Sequence, residues 1–267
     1  MTDDAPLIET MSDPAVQRIL DVSRRARAAT KTLFVEDVEP VTHAVRTGVE
    51  FVGVYAAETF DMPSDLLAEF AERTVPFSRV ATGVMSQMFK GDRRPAMFAI
   101  AKAPRAPRIG DLREASGDIV ILDGARIVGN IGAIVRSAYG LGAAGVVLVD
   151  SELDSVLDRR VVRASRGYVF SLPVVLASRD EVRDLLATGI RSVAVDASGS
   201  LSLDELGAVD ERLALVFGGE KAGHSGALVA DASDAVSIPM RRDTESLNVS
   251  VAAGIALAAR TTVNLSE

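Results

Sequence analysis

Cysteine and tryptophan are absent from the 267 residues, and histidine occurs only as His43 and His224. Without cysteine there is no disulfide, no thiolate nucleophile and no Cys-based zinc site, and two histidines are too few for a His-rich metal centre. Aromatic residues are scarce, at 4% of the chain. No apolar run approaches the roughly 20 residues that cross a bilayer. The first dozen residues, MTDDAPLIETMS, are acidic and lack the basic and apolar regions of a signal peptide. These absences predict a cytoplasmic chain with no metal and no membrane segment.

What is present describes a folded protein. Hydrophobic residues make up 48% and charged residues 25%, a globular composition rather than a disordered one. The length accommodates two domains, each with its own core. The net charge of −8 is unevenly spread: residues 1–110 hold 14 basic and 15 acidic side chains, the remainder 15 and 22. Two basic stretches stand out. Arg18, Arg24, Arg25, Arg27 and Lys31 face only Asp21, and Lys90, Arg93, Arg94, Lys102, Arg105 and Arg108 face only Asp92. Solvated helix faces account for many such runs. Phe89 beside the second one adds an aromatic next to cations, a combination suited to looped or single-stranded RNA.

Ser12-Asp13-Pro14 starts a helix that buries Val16, Ile19 and Leu20. Apolar strands at 32–35, 49–55, 75–80 and 96–101 then alternate with helical patterns at 40–46, 64–72 and 82–89. This makes an α/β domain over 1–105, and the prolines and aperiodic composition after Ala103 place a linker at 106–115. A second α/β domain follows over 116–267. Its continuous apolar runs Val146–Val149 and Leu213–Phe217 read as parallel strands buried on both faces.

Four stretches carry candidate chemistry. Gly140-Leu-Gly-Ala-Ala-Gly145 matches the glycine pattern of dinucleotide sites, but it follows a helix and precedes a strand, the reverse of what such a site needs. It reads as a helix stop and a tight turn. Asn130-Ile-Gly-Ala-Ile-Val-Arg136 opens a helix after a strand, with Arg136 within two turns of Asn130; its plain alternative is a capped helix with a surface arginine. Phe217-Gly-Gly-Glu-Lys-Ala-Gly223 ends a buried strand with glycines, which let backbone groups approach a ligand, and with Glu220. Finally, IPMRRDTESLNVSVAAGIALAAR runs from Ile238 into a helix with Leu247, Val251, Ile255 and Ala259 at fourfold spacing. Thr244 and Ser246 are its candidate N-caps, and Glu245, Ser246 and Asn248 crowd the entry, where free backbone N–H groups can meet a ligand.

NIGAIVR, FGGEKAG and IPMRRDTESLNVSVAAGI, in this order, resemble the three motifs of the SpoU branch of the SPOUT methyltransferases over residues 115–262. DPAVQRILDV, EDVEPV, the Phe89-Lys90-Gly91 segment and RASRGYVFSLPVV are similar to the thiostrepton and nosiheptide resistance methyltransferases. The resemblance implies an L30-like α/β RNA-binding domain, then a SPOUT α/β domain with a trefoil knot that pairs two chains into a homodimer. It also implies transfer of a methyl group from S-adenosylmethionine to an adenosine 2′-oxygen in a 23S ribosomal RNA hairpin loop. The implied cofactor residues are Asp196, Ala197, Gly218, Gly219, Ile238, Met240 and Leu247. Those implied at the reacting ribose are Arg136, Asn130, Glu220, Ser246 and Asn248. RNA would be held by Arg24, Arg25, Arg27, Lys90, Arg93, Arg94 and Arg166, with Phe89 stacking on a base. A transfer-RNA or other ribosomal target, and an inactive RNA-binding relative, stay open at this point.

Overall fold

In the computed structural model, which describes residues 5–24, 31–219, 226–241 and 243–261, the apolar runs become two sheets in two separate units. The first unit comprises Met1–Arg105 and, unexpectedly, Leu157–Phe170. Its elements are β1 (Leu7–Ile8), α1 (Pro14–Arg24), β2 (Thr32–Glu36), α2 (Val38–Arg46), β3 (Phe51–Ala57), α3 (Ser64–Glu72), β4 (Phe77–Val80), α4 (Thr82–Met88) and β5 (Met97–Lys102). The strand order is β1-β4-β3-β5-β2, with β5 antiparallel to both neighbours and the other pairs parallel. α1 begins as its sequence predicts: the Asp13 carboxylate accepts the Ala15 N–H at 2.8 Å, and Val16, Ile19 and Leu20 are buried.

The core of this unit is aromatic. Phe98 stacks between Phe34 (5.0 Å between centroids) and Tyr55 (5.2 Å), and Phe89 meets it edge-on at 5.6 Å. Each such ring contributes roughly 1.5–3 kcal/mol by leaving water.

The second unit comprises Ala106–Val156 and Ser171–Glu267. It contains β6 (Ile119–Asp123), α5 (Val128–Gly140) and β7 (Gly145–Val149). The chain then forms α6 (Arg159–Ala164), which belongs to the first unit, and returns through β8 (Val174–Leu176), α7 (Arg179–Leu186), β9 (Arg191–Val195), α8 (Leu203–Gly207), β10 (Leu213–Gly218), α9 (Ala227–Ala230), β11 (Asp234–Val236) and α10 (Val249–Arg260). All six strands are parallel, in the order β11-β9-β10-β6-β7-β8. Every residue of β6 and β7 is buried, as continuous apolar runs require when both faces are covered. The Gly140–Gly145 run ends α5 and turns into β7, as its order in the chain demands.

Residues 106–115 are not a free tether. Ile109–Leu112 form a 3₁₀ turn, Leu112 is wholly buried with Ile119 and Val147, and Arg212 donates to the carbonyls of Leu112, Arg113 and Gly117. At the same sheet end, Arg260 of α10 donates to both carboxylate oxygens of Asp118, at 2.7 and 3.1 Å, and to the carbonyls of Leu206, Val209 and Glu211. A buried pair so fully hydrogen-bonded fixes where the last helix ends; removing one partner costs about 3–5 kcal/mol.

Within the first unit, α6 is held by charge. Glu36, 2% exposed, accepts from Nε (3.0 Å) and Nη2 (2.6 Å) of Arg159 and from Nη1 of Arg163 (3.0 Å). The Arg159 guanidinium lies 5.0 Å from the Phe34 centroid and 5.8 Å from that of Phe89. Tyr168 packs on His43 at 4.1 Å between ring centroids, and Arg166 pairs with Glu39 at 2.9 Å.

Candidate functional site

Parallel strands leave all their C-terminal ends on one edge of the sheet, where loops can converge on a ligand. The three candidate cofactor loops follow three adjacent strands, β11, β9 and β10. Asp196 and Ala197 come directly after β9, Gly218 ends β10 and precedes Gly219, and Ile238, Met240 and Leu247 lie between β11 and α10.

Two glycines set how closely these loops pack. A Cβ on Gly219 would lie 2.6 Å from the Gly124 carbonyl oxygen, and one on Gly199 would lie 2.4 Å from the Val236 carbonyl carbon. Any larger residue forces the backbones apart. Leu201 donates to the Ala235 carbonyl and Ser237 to that of Leu201, so the loop after β9 is laced to the end of β11. Ser198 donates its hydroxyl and its backbone N–H to Asp196, holding this carboxyl below the usual carboxylate range. Ile238, Met240 and Leu247 are half-buried in a stretch without regular structure. Close-packed backbone, half-buried apolar side chains and an ionised aspartate are groups from which a cradle for a cofactor with a flat aromatic base and a cationic end could be built.

The entry of α10 differs from its expected form. Neither Thr244 nor Ser246 caps the helix; Asn248 does, its side-chain oxygen accepting the N–H (2.8 Å) and hydroxyl (2.6 Å) of Ser250. The amide of Asn248 is thereby turned toward Asn130 and donates to its side-chain oxygen at 3.1 Å. First and third motifs thus meet at two helix entries, and α5 and α10 pack along their length. Arg136 is exposed on α5 two turns beyond Asn130 and makes no ion pair with any described residue. Ser246 is exposed and makes no hydrogen bond with any described residue. Glu220 lies outside the described residues, as do Arg25 and Arg27 and the side chain of Arg24.

Phe89 is a correction. At 4% exposure, packed on Phe98 and beneath Arg159, the ring has no free face for a base. Val84, Met85, Met88 and Phe89 are all buried, a spacing that continues the apolar stripe of α4 and would have revealed its place in the core. Its basic neighbours are outside: Lys90 is exposed, Arg93 pairs with Asp37 at 2.6 Å, and Arg94 donates to the Ser86 hydroxyl. The sequence reading also passed over Ser198, Ser250 and Asp123, a buried carboxylate ending β6.

Known proteins match this chain over most of its length. Residues 5–115 match the family model of the thiostrepton-resistance methylase N terminus, and residues 118–258 match that of the SpoU rRNA methylase family. A 23S rRNA (adenosine(1067)-2′-O)-methyltransferase of Streptomyces laurentii is 53% identical over 262 residues, 98% of this chain and 97% of the relative. Its counterpart from Streptomyces azureus is 49% identical, covering 97% and 96%. Among solved structures, the SpoU methyltransferase AviRb of Streptomyces viridochromogenes in complex with AdoMet aligns with a TM-score of 0.74 at 26% identity, over 93% of this chain and 97% of that one.

Proposed function

The chain belongs to the SpoU rRNA methylase family, and on that premise we propose that it is an S-adenosylmethionine-dependent enzyme methylating an adenosine 2′-oxygen in 23S ribosomal RNA. The observation that carries this reading is the meeting of Asn130 and Asn248, from the first and third motifs, at two helix entries, with Arg136 exposed two turns further along α5. The direct check is mass spectrometry of nuclease fragments from ribosomal RNA incubated with protein and cofactor. One adenosine nucleotide gains a methyl group on its ribose; modification of a base instead would contradict the assignment.

The cradle's residues fit the cofactor. Asp196, Ala197, Gly218 and Gly219 would hold adenosine largely through backbone groups, and Ile238, Met240 and Leu247 would cover its base. When bound, S-adenosylmethionine supplies a methyl group already activated by a positively charged sulfur, so the chain's own task is alignment and removal of one proton. Asn130, Ser246 and Asn248 orient the ribose by hydrogen bonds. Arg136 clamps the adjacent phosphate through two parallel N–H donors. A guanidinium keeps its proton at physiological pH, so this group binds charge rather than accepting the proton. The proton leaves to phosphate, water or Glu220.

The RNA reader is the first unit, an L30-like domain, through Lys90, Arg93, Arg94 and Arg166 together with Arg24, Arg25 and Arg27. Support comes from the exposure of these basic side chains where described, and phosphate contacts of this kind are salt-sensitive even on an acidic protein. Reading of a hairpin loop in the GTPase-associated centre gives thiopeptide resistance, because a 2′-O-methyl removes a donor and adds bulk at the drug contact. The second unit is threaded into a trefoil knot, a reading supported by the match of residues 118–258 to the SpoU family. Two chains form a homodimer through it, for which the exposed Ile127, Tyr139 and Val251 on or beside α5 and α10 argue. No described helix is long and apolar enough to cross a membrane, and the ribosomal substrate places the work in the cytoplasm.

A further inference from the structure

Asp123 is wholly buried at the end of a central strand, yet the reading above gives it no task. Three groups converge on it. One carboxylate oxygen accepts from Nη2 of Arg179 at 2.9 Å, the other accepts the backbone N–H of Leu228 at 3.0 Å, and its main-chain carbonyl accepts the N–H of Gly219 at 2.8 Å. Gly219 belongs to the cradle, and Leu228 lies in α9, the next element after it. The same guanidinium nitrogen of Arg179 lies 2.7 Å from Asp150. A buried carboxylate is tolerated only while its oxygens stay paired, so these contacts constrain one another. Shifting Gly219 would move the strand end that carries the carboxylate, and losing the carboxylate would release α9 and leave Arg179 short of its buried counter-ion. An apolar residue here would keep the main-chain bond to Gly219 but would hold neither α9 nor Arg179.

We propose that Asp123, held by Arg179, is a positioning residue for the methyl-donor cradle: it fixes Gly219 on one side and α9 on the other before the cofactor arrives. This rests on the cofactor reading above. Asparagine in its place keeps the shape but offers one acceptor and one donor where two acceptors are needed, so either Leu228 or Arg179 then faces a donor.

The test uses the full chain and reads cofactor and RNA binding separately. Calorimetry with S-adenosylmethionine should show Asp123→Asn and Arg179→Met weakened by about tenfold or more, with Arg179→Lys close to wild type. A 23S rRNA hairpin should bind all of them within about twofold of wild type. Saturating cofactor should raise the melting temperature of wild type by more than that of Asp123→Asn. Should Asp123→Asn fail to fold, Arg179→Met alone decides the matter. Folded variants that bind the cofactor like wild type would overturn the role of Asp123 and leave the family reading intact. A wild-type protein that binds no S-adenosylmethionine would overturn both.

Discussion

The Asn248 amide donates to the Asn130 side-chain oxygen at 3.1 Å while its own oxygen caps α10 through Ser250. One residue therefore starts a helix and ties that helix to the entry of α5, 118 positions away in sequence. Asn248→Ala removes both contacts and should cost about 1 kcal/mol of stability through the lost cap. Asn248→Asp keeps the cap but places a carboxylate oxygen against that of Asn130. Its stability should stay close to wild type while methyl transfer falls at least about tenfold. Chemical denaturation and a labelled-cofactor assay separate the two effects; an Asp variant of full activity would show that the contact has no part in the reaction.

Arg136 has no carboxylate partner among the described residues, so removing it leaves no buried charge behind. Arg136→Ala should bind S-adenosylmethionine within about twofold of wild type and lose methyl transfer by about a hundredfold or more. Calorimetry showing that cofactor affinity collapses would move the arginine into the cradle.

Phe89 now predicts stability rather than recognition. Phe89→Ala should destabilise the protein by about 3–5 kcal/mol, while Phe89→Leu should fold and bind the hairpin within about twofold of wild type. Loss of hairpin affinity in a folded Leu variant would return the ring to the RNA surface.

Mild acid should weaken the first unit through His43. Burial, and then the nearby Arg46, lower the affinity of this imidazole for a proton, opposed by Glu39. Its folded pKa thus lies below the unfolded value of about 6.5. The unfolded state takes up the proton first as pH falls, so the contribution is present above about 6.5 and is lost below it, toward the folded pKa. Urea denaturation from pH 8 to 5 should show a smaller loss for His43→Gln than for wild type; equal slopes would contradict the assignment.

The strands of the second unit were readable because burial on both faces leaves an unbroken apolar run, as at Gly145–Val149 and Leu213–Gly218. The loops after β9, β10 and β11 were readable as loops because glycine and polar residues interrupt the apolar runs there. Long-range pairing was not. Nothing in Arg159 or Arg163 announces that they reach back to Glu36, over 123 and 127 positions, and draw 157–170 into the first unit. Asp123 was passed over because its partners Arg179 and Leu228 lie 56 and 105 positions away. Phe89 misled because the basic residues after it outweighed the apolar stripe before it.

Methylation of a ribose in a 23S ribosomal RNA hairpin is the activity we propose for this chain. Its most direct test offers that hairpin and transfer RNA together in one reaction with methyl-labelled S-adenosylmethionine. Label should enter the hairpin alone and vanish when the target adenosine carries a 2′-deoxyribose. Label found only in transfer RNA would contradict the account.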